Sequence, residues 1–136
     1  MKYNGVIQRK FALLDDHVQE LKRYLAGMDF REFETTRVAR LATERAIQVC
    51  AEIVIDIAER IIAIEHAGPV ASAADALGKL QTLGVIRDAA PYTGIVRFRN
   101  LIVHEYEEID PKILYQVATG RLDDFLAFRD EIDRAQ

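Results

Sequence analysis

The chain has 136 residues, half of them hydrophobic and 29% charged, with a formal net charge of −4. That is one domain's worth of a soluble globular fold, large enough to bury a core without staples, and its acidity excludes a general nucleic-acid coat. A single cysteine, Cys50, excludes an internal disulfide, and with no signal-peptide pattern at the N-terminus a cytoplasmic location is the default expectation.

Five helices are predicted, with no strand-like alternation of useful length. The first runs from about Asn4 to Ala26 on Val6, Phe11, Leu14, Val18, Leu21 and Leu25, spaced at steps of mostly three and four, and Gly27 ends it. The second is long, from about Phe30 to His66, and Gly68-Pro69 closes it. Between Ala46 and Ile64 only Gln48, Glu52, Asp56, Glu59 and Arg60 interrupt apolar residues. The four charges rule out a membrane span. Apolar surface nearly all round one helix is more than a small bundle is expected to bury, so homodimerisation through part of it is the simplest expectation. Ser72 with Asp75 resembles a capping box opening a short third helix that ends at Gly84. Asp88 and Pro91 open the fourth. Asp110-Pro111 gives the fifth its N-cap and first-turn proline, with Gly120 as a candidate kink.

Cys50 sits in the apolar run of the second helix and reads as a buried structural thiol. Thirteen of the eighteen positive residues are arginines, among them Arg31, Arg37, Arg40, Arg45, Arg97 and Arg99. The bias suits phosphate recognition, while any one of them alone reads as part of a solvated helix face.

The fourth helix carries the chemistry. Arg99-Asn100-Leu101-Ile102-Val103-His104-Glu105-Tyr106 places an arginine, an amide, an imidazole and a phenol within eight residues. At ~100° per residue, with Arg99 as zero, Tyr106 falls about 20° to one side, Asn100 about 100° and His104 about 140° to the other. Ile95, Phe98, Leu101, Ile102 and Ile109 occupy the opposite arc, the face expected to meet the core. A guanidinium that forks onto phosphate beside an imidazole that titrates near neutrality suits phosphodiester chemistry. Arg99 could also pair with Glu44, Glu52 or Asp56 of the second helix, which is compatible with orienting the guanidinium. Asn100 could cap or bridge helices, or act as a buried amide that fixes the imidazole tautomer. Tyr106 could be core, as Tyr24 and Tyr92 are read to be. A histidine near a helix end is ordinarily a surface residue favoured by the dipole, and that reading is kept for His17 and His66. There is no Cys/His cluster for zinc, no Glu-x-x-His pair beyond the near miss His17-x-x-Glu20, no glycine-rich nucleotide loop and no nucleophile elbow.

Arg99-Asn100-x-x-x-His104-x-Tyr106 resembles the Arg-x4-His-x-Tyr motif of HEPN-domain ribonucleases, specifically the HepT-like toxins of prokaryotic toxin–antitoxin pairs. Glu44-Arg45-Ala46-Ile47-Gln48, Phe98-Arg99-Asn100 and Ile109-Asp110-Pro111 extend the similarity over most of the chain. The resemblance implies a single HEPN (HepT-like) domain over 1–136, an all-α bundle of about five helices with the long second helix and the motif helix central. It implies a dimer that sets two copies of the motif across a shared cleft, and a metal-independent endoribonuclease that needs no cofactor. His104 would be general base or acid for attack of the RNA 2′-hydroxyl, Arg99 would bind the scissile phosphate, and Asn100 would orient the histidine or the phosphate. Tyr106 would accept adenylyl groups from a minimal nucleotidyltransferase antitoxin that uses ATP. Two other classes stay open: a non-catalytic nucleotide- or RNA-binding companion subunit of a nucleotidyltransferase, and a structural oligomerisation protein built on the apolar second helix.

Overall fold

The computed structural model of the chain describes Tyr3, residues 5–104 and residues 109–135. Among these residues seven helices follow in order: α1 (Gly5–Leu25), α2 (Phe30–Thr35), α3 (Arg37–Ile64), α4 (Ala73–Thr82), α5 (Ala90–His104), α6 (Pro111–Gly120) and α7 (Asp123–Ala135). No strand occurs among the described residues. The expected five helices become seven because the second and the fifth each divide.

The second divides at Thr36, whose backbone is extended at φ −107° and ψ 92°. Two adjacent β-branched hydroxyls explain the break. Thr36 Oγ1 donates to the Glu32 carbonyl at 2.6 Å and Thr35 Oγ1 to the Arg31 carbonyl at 2.9 Å. Such back-bonding offers the chain an alternative to the helical ladder. The fifth divides just past Gly120, where Arg121 takes φ −124° and ψ 2° and Leu122 turns into the core.

The other boundaries follow the signals in the sequence. Ile7, Phe11, Leu14, Val18, Leu21 and Leu25 form the buried stripe of α1, and Gly27 at φ +80° stops the helix as only glycine does without strain. Ser72 Oγ accepts from the Asp75 amide at 3.0 Å, and Asp75 reaches back to the Ala71 amide at 2.8 Å, closing the box that opens α4. Asp88 accepts from the Ala90 amide at the start of α5, and Asp110 from the Lys112 amide at the start of α6. Each satisfies a donor that the first helical turn leaves without a partner.

Every other helix packs against α3, which is the axis of the bundle. Twelve of its residues are buried, including Ile47, Val54, Ile57 and Ile61. This changes the basis for expecting a dimer. Of the large apolar side chains between Ala46 and Ile64, only Ile64 is exposed, at 37%. A central helix meets neighbours on all sides, so one chain absorbs the apolar run that the sequence assigns in part to a second copy. Exposed large apolar residues lie elsewhere, including Val38 and Leu41 in the first turns of α3 and Leu101 and Val103 in the last turn of α5. No helix is long and apolar enough to cross a membrane among the described residues.

Helix α1 runs antiparallel to α3, and an ion pair ties α5 to α3 as well. Lys10 near the start of α1 meets Asp56 near the end of α3 at 2.5 Å, and Arg99 near the end of α5 meets Glu52 at 3.2 Å. On the far side of the bundle, the Tyr92 hydroxyl donates to Glu131 of α7, and its ring packs edge-on against Phe128 at 5.1 Å. Burial, followed by the Glu131 hydrogen bond, raises the Tyr92 phenol well above its ordinary range. Tyr92 is core as expected. Tyr24 is 45% exposed and is not.

Candidate active site

Helix α5 does not carry its polar groups on one face. Its buried residues are Tyr92, Ile95 and Val96. At ~100° per residue these bracket the position of Arg99, so Arg99 points into the bundle while Asn100 and His104 point out of it. The sequence expectation of a shared polar face is corrected on this point, and so is the place of Leu101. It is 38% exposed, while Ile95 is buried and Phe98 and Ile102 pack against the core.

Arg99 can face inward because α3 holds an acid opposite it. The Arg99 side chain is only 20% exposed, and its Nη1 lies 3.2 Å from Glu52 Oε1. Its Nε is buried and has no hydrogen-bond partner among the described residues. Two other acids were candidate partners, and both are occupied. Glu44 Oε1 accepts from the backbone amide of Ile109 at 3.2 Å, tying the chain that follows the motif to α3. Asp56 meets Lys10 at 2.5 Å and Arg60 at 3.3 Å. Burial pushes the Asp56 carboxyl up, but the hydrogen bonds and charges of Lys10 and Arg60 outweigh it and hold it below the ordinary carboxylate range. Glu52 is itself 47% exposed, so the pair is partly solvated and contributes at most about 1 kcal/mol of stability. What it fixes is geometry.

His104 is the last residue of α5 and is exposed. Asn100 lies one turn before it on the same outward face and is exposed, not the buried amide expected. Leu101 and Val103 add apolar surface to this end of the helix, at 38% and 43% exposure. Tyr106, the fourth expected site residue, lies outside the described residues. The structure therefore places Asn100 and His104 together and sets Arg99 apart on the inner side.

Chemically, the outward face offers a proton acceptor or donor and an amide, and the inner face a recessed cation. An apolar cleft of about 180 Å³, lined by Ile47, Gly94, Phe98, Val117 and Arg121 among others, opens on a different flank of α5 and includes none of the three. Among the described residues no three His, Cys, Asp or Glu side chains are grouped to hold a metal ion. The roles of Glu52 and Glu44 were not separable by composition. The order of the contacts assigns them, since stepping forward from Arg99 to Ile109 steps back along α3 from Glu52 to Glu44.

Residues 14–132 match the family described as Ribonuclease HepT-like. The chain belongs to the HepT-like ribonuclease family. It is 26% identical over 125 residues to the tRNA nuclease HepT of Aphanizomenon flos-aquae (strain 2012/KM1/D3), covering 88% of this chain and 82% of that protein. Its fold superposes with a TM-score of 0.88 on the tri-AMPylated HEPN toxin of Shewanella oneidensis in complex with MNT antitoxin, at 25% identity over 97% of this chain and 99% of the other. A toxin–antitoxin structure with AMP-PNP gives a TM-score of 0.87 at 25% identity, covering 96% of this chain and 99% of that one. The all-α HEPN expectation is borne out, and Arg99, Asn100 and His104 all lie within the matched residues.

Proposed function

We propose that this chain is the endoribonuclease toxin of a toxin–antitoxin pair, cleaving RNA with Arg99 and His104 and without a metal ion. The observation that carries the reading is the arrangement of α5. It presents His104 and Asn100 outward beside exposed Leu101 and Val103, and keeps a charge-matched guanidinium just behind them. An apolar surface that includes functional polar groups suits a two-fold contact, in which a second copy of α5 covers Leu101 and Val103 and completes a cleft.

In that cleft His104, as neutral imidazole, takes the proton of the RNA 2′-hydroxyl. The 2′-oxygen attacks phosphorus, the bond from phosphorus to the 5′-oxygen breaks, and an imidazolium returns a proton to the leaving oxygen. Arg99 stabilises the charge that grows on the phosphoryl oxygens. Asn100 orients the imidazole or the phosphate. The products are a cyclic phosphate and a 5′-hydroxyl. Because the nucleophile comes from the RNA, no metal-bound water is required. Transfer RNA is the first substrate to test, given the relative named a tRNA nuclease.

Neutralisation follows from Tyr106. Its phenol oxygen attacks the α-phosphorus of ATP held by a nucleotidyltransferase antitoxin, and pyrophosphate leaves. The AMPylated HEPN toxin among the structural relatives supports this reading. An adenylate adds bulk and negative charge close in sequence to His104, which repels RNA phosphate. Tyr106→Phe is expected to keep most of the cleavage activity yet escape the antitoxin. The check is RNA cleavage after incubation with antitoxin and ATP, with intact mass read on the same samples. Equal suppression of variant and wild type would favour direct occlusion instead.

A further inference from the structure

We infer that Glu52 is the positioning residue for Arg99, fixing which edge of the guanidinium meets the scissile phosphate; this rests on the ribonuclease reading above. A guanidinium has two forks that suit a phosphate: a side-on one that includes Nε, and an end-on one made by the two terminal nitrogens. The buried Nε closes the first. Only the terminal nitrogens remain for a phosphate, and Glu52 holds one of them, Nη1, at 3.2 Å.

The contact is single, so it orients the group without consuming its donors. Five N–H donors are present on an arginine, and Glu52 engages one nitrogen of the three. The other acids of α3 near this helix cannot replace it. Glu44 is bound to the Ile109 amide, and Asp56 to Lys10 and Arg60. Glu52 also supplies the countercharge for a cation set on the inner face of α5, away from bulk water. With Glu52 absent, the guanidinium is free to swing outward into water, and the end-on fork loses its aim.

The effect belongs on turnover more than on affinity. RNA affinity sums many phosphate contacts, so one misdirected arginine changes it little. Misplacing a group that acts on the reacting phosphate is costly, on the order of ten-fold to a hundred-fold in rate. We therefore expect Glu52→Ala to lower kcat by about ten-fold or more with KM held within about two-fold. Glu52→Gln keeps an acceptor and drops the charge, and its kcat is expected to fall between the two.

The test uses the full chain, with steady-state RNA cleavage and the ¹⁵N-resolved Nε–Hε resonance of Arg99, identified by its absence in Arg99→Lys. In wild type that resonance is expected to be displaced from the bulk arginine signals and slow to exchange with water. In Glu52→Ala it is expected to merge with them. Unchanged kcat in Glu52→Ala, or an Arg99 resonance that keeps its position and protection, overturns the inference. If Glu52→Ala does not fold, Glu52→Gln carries both readouts. If wild type itself does not cleave RNA, the ribonuclease reading falls, and the Arg99 resonance still decides whether Glu52 positions that side chain.

Discussion

A cation on the inner side of a helix is uncommon, and Arg99 is kept there by one acid and by its own stem. The aliphatic part of an arginine packs like a hydrophobic side chain while the head needs a partner, and Glu52 is placed to be that partner. Cys50 shows the opposite case, a reactive group silenced by its surroundings. It is fully buried on α3, and burial pushes its thiol up to about 12. At pH 8 the nucleophilic thiolate is therefore scarce, and a disulfide reagent should fail to label native protein yet label it in denaturant. The raised value also has a sign for stability. Its contribution is complete below the unfolded value near 9 and is lost as pH rises through about 12, so Cys50→Ala should flatten the loss of melting temperature over that alkaline range. Rapid labelling of the folded protein at pH 8 would contradict this account.

At the scale of the element, the end of α3 offers a clean test. His66 adopts φ +53°, the left-handed region, directly after the helix. The Ala67 amide returns to the Ile62 carbonyl at 3.0 Å, the closure expected when a left-handed residue terminates a helix. A side chain is strained there and glycine is not, so His66→Gly should raise stability by up to about 1 kcal/mol and His66→Val should lower it by a similar amount. A thermal melt of the three proteins decides, and a glycine variant that melts lower would refute the assignment. The structural reading of His66 in the sequence survives in this form.

The helix boundaries show what the sequence could and could not yield. Caps with a local mechanism were legible: Ser72 with Asp75, Asp88 before Pro91, and Asp110 before Pro111 each bind the amide their spacing predicts. The division at Thr36 was not, because two threonines inside an amphipathic pattern read as helix until their hydroxyls are seen on the carbonyls behind them. The faces of α5 were half legible. Ile95, Phe98 and Ile102 meet the bundle as periodicity requires, but Arg99 shares their side through a tertiary contact that no local pattern encodes.

At the scale of the molecule, α3 is an axis surrounded by all six other helices, and this explains both its composition and its control of the site. Its apolar residues serve the core of one chain. Glu52 and Glu44, two turns apart on the same helix, hold the Arg99 guanidinium and the chain just beyond the motif. The case for a second copy accordingly moves from α3's apolar run to the exposed end of α5, where His104, Leu101 and Val103 lie together.

The measurement that tests the central claim most directly is cleavage of transfer RNA by the purified chain in excess EDTA, beside His104→Ala prepared identically. Intact mass would first establish that Tyr106 is unmodified. The account predicts that wild type cleaves, leaving a cyclic phosphate and a 5′-hydroxyl, and that the folded variant does not. Equal cleavage by both proteins, or none by unmodified wild type, would contradict it.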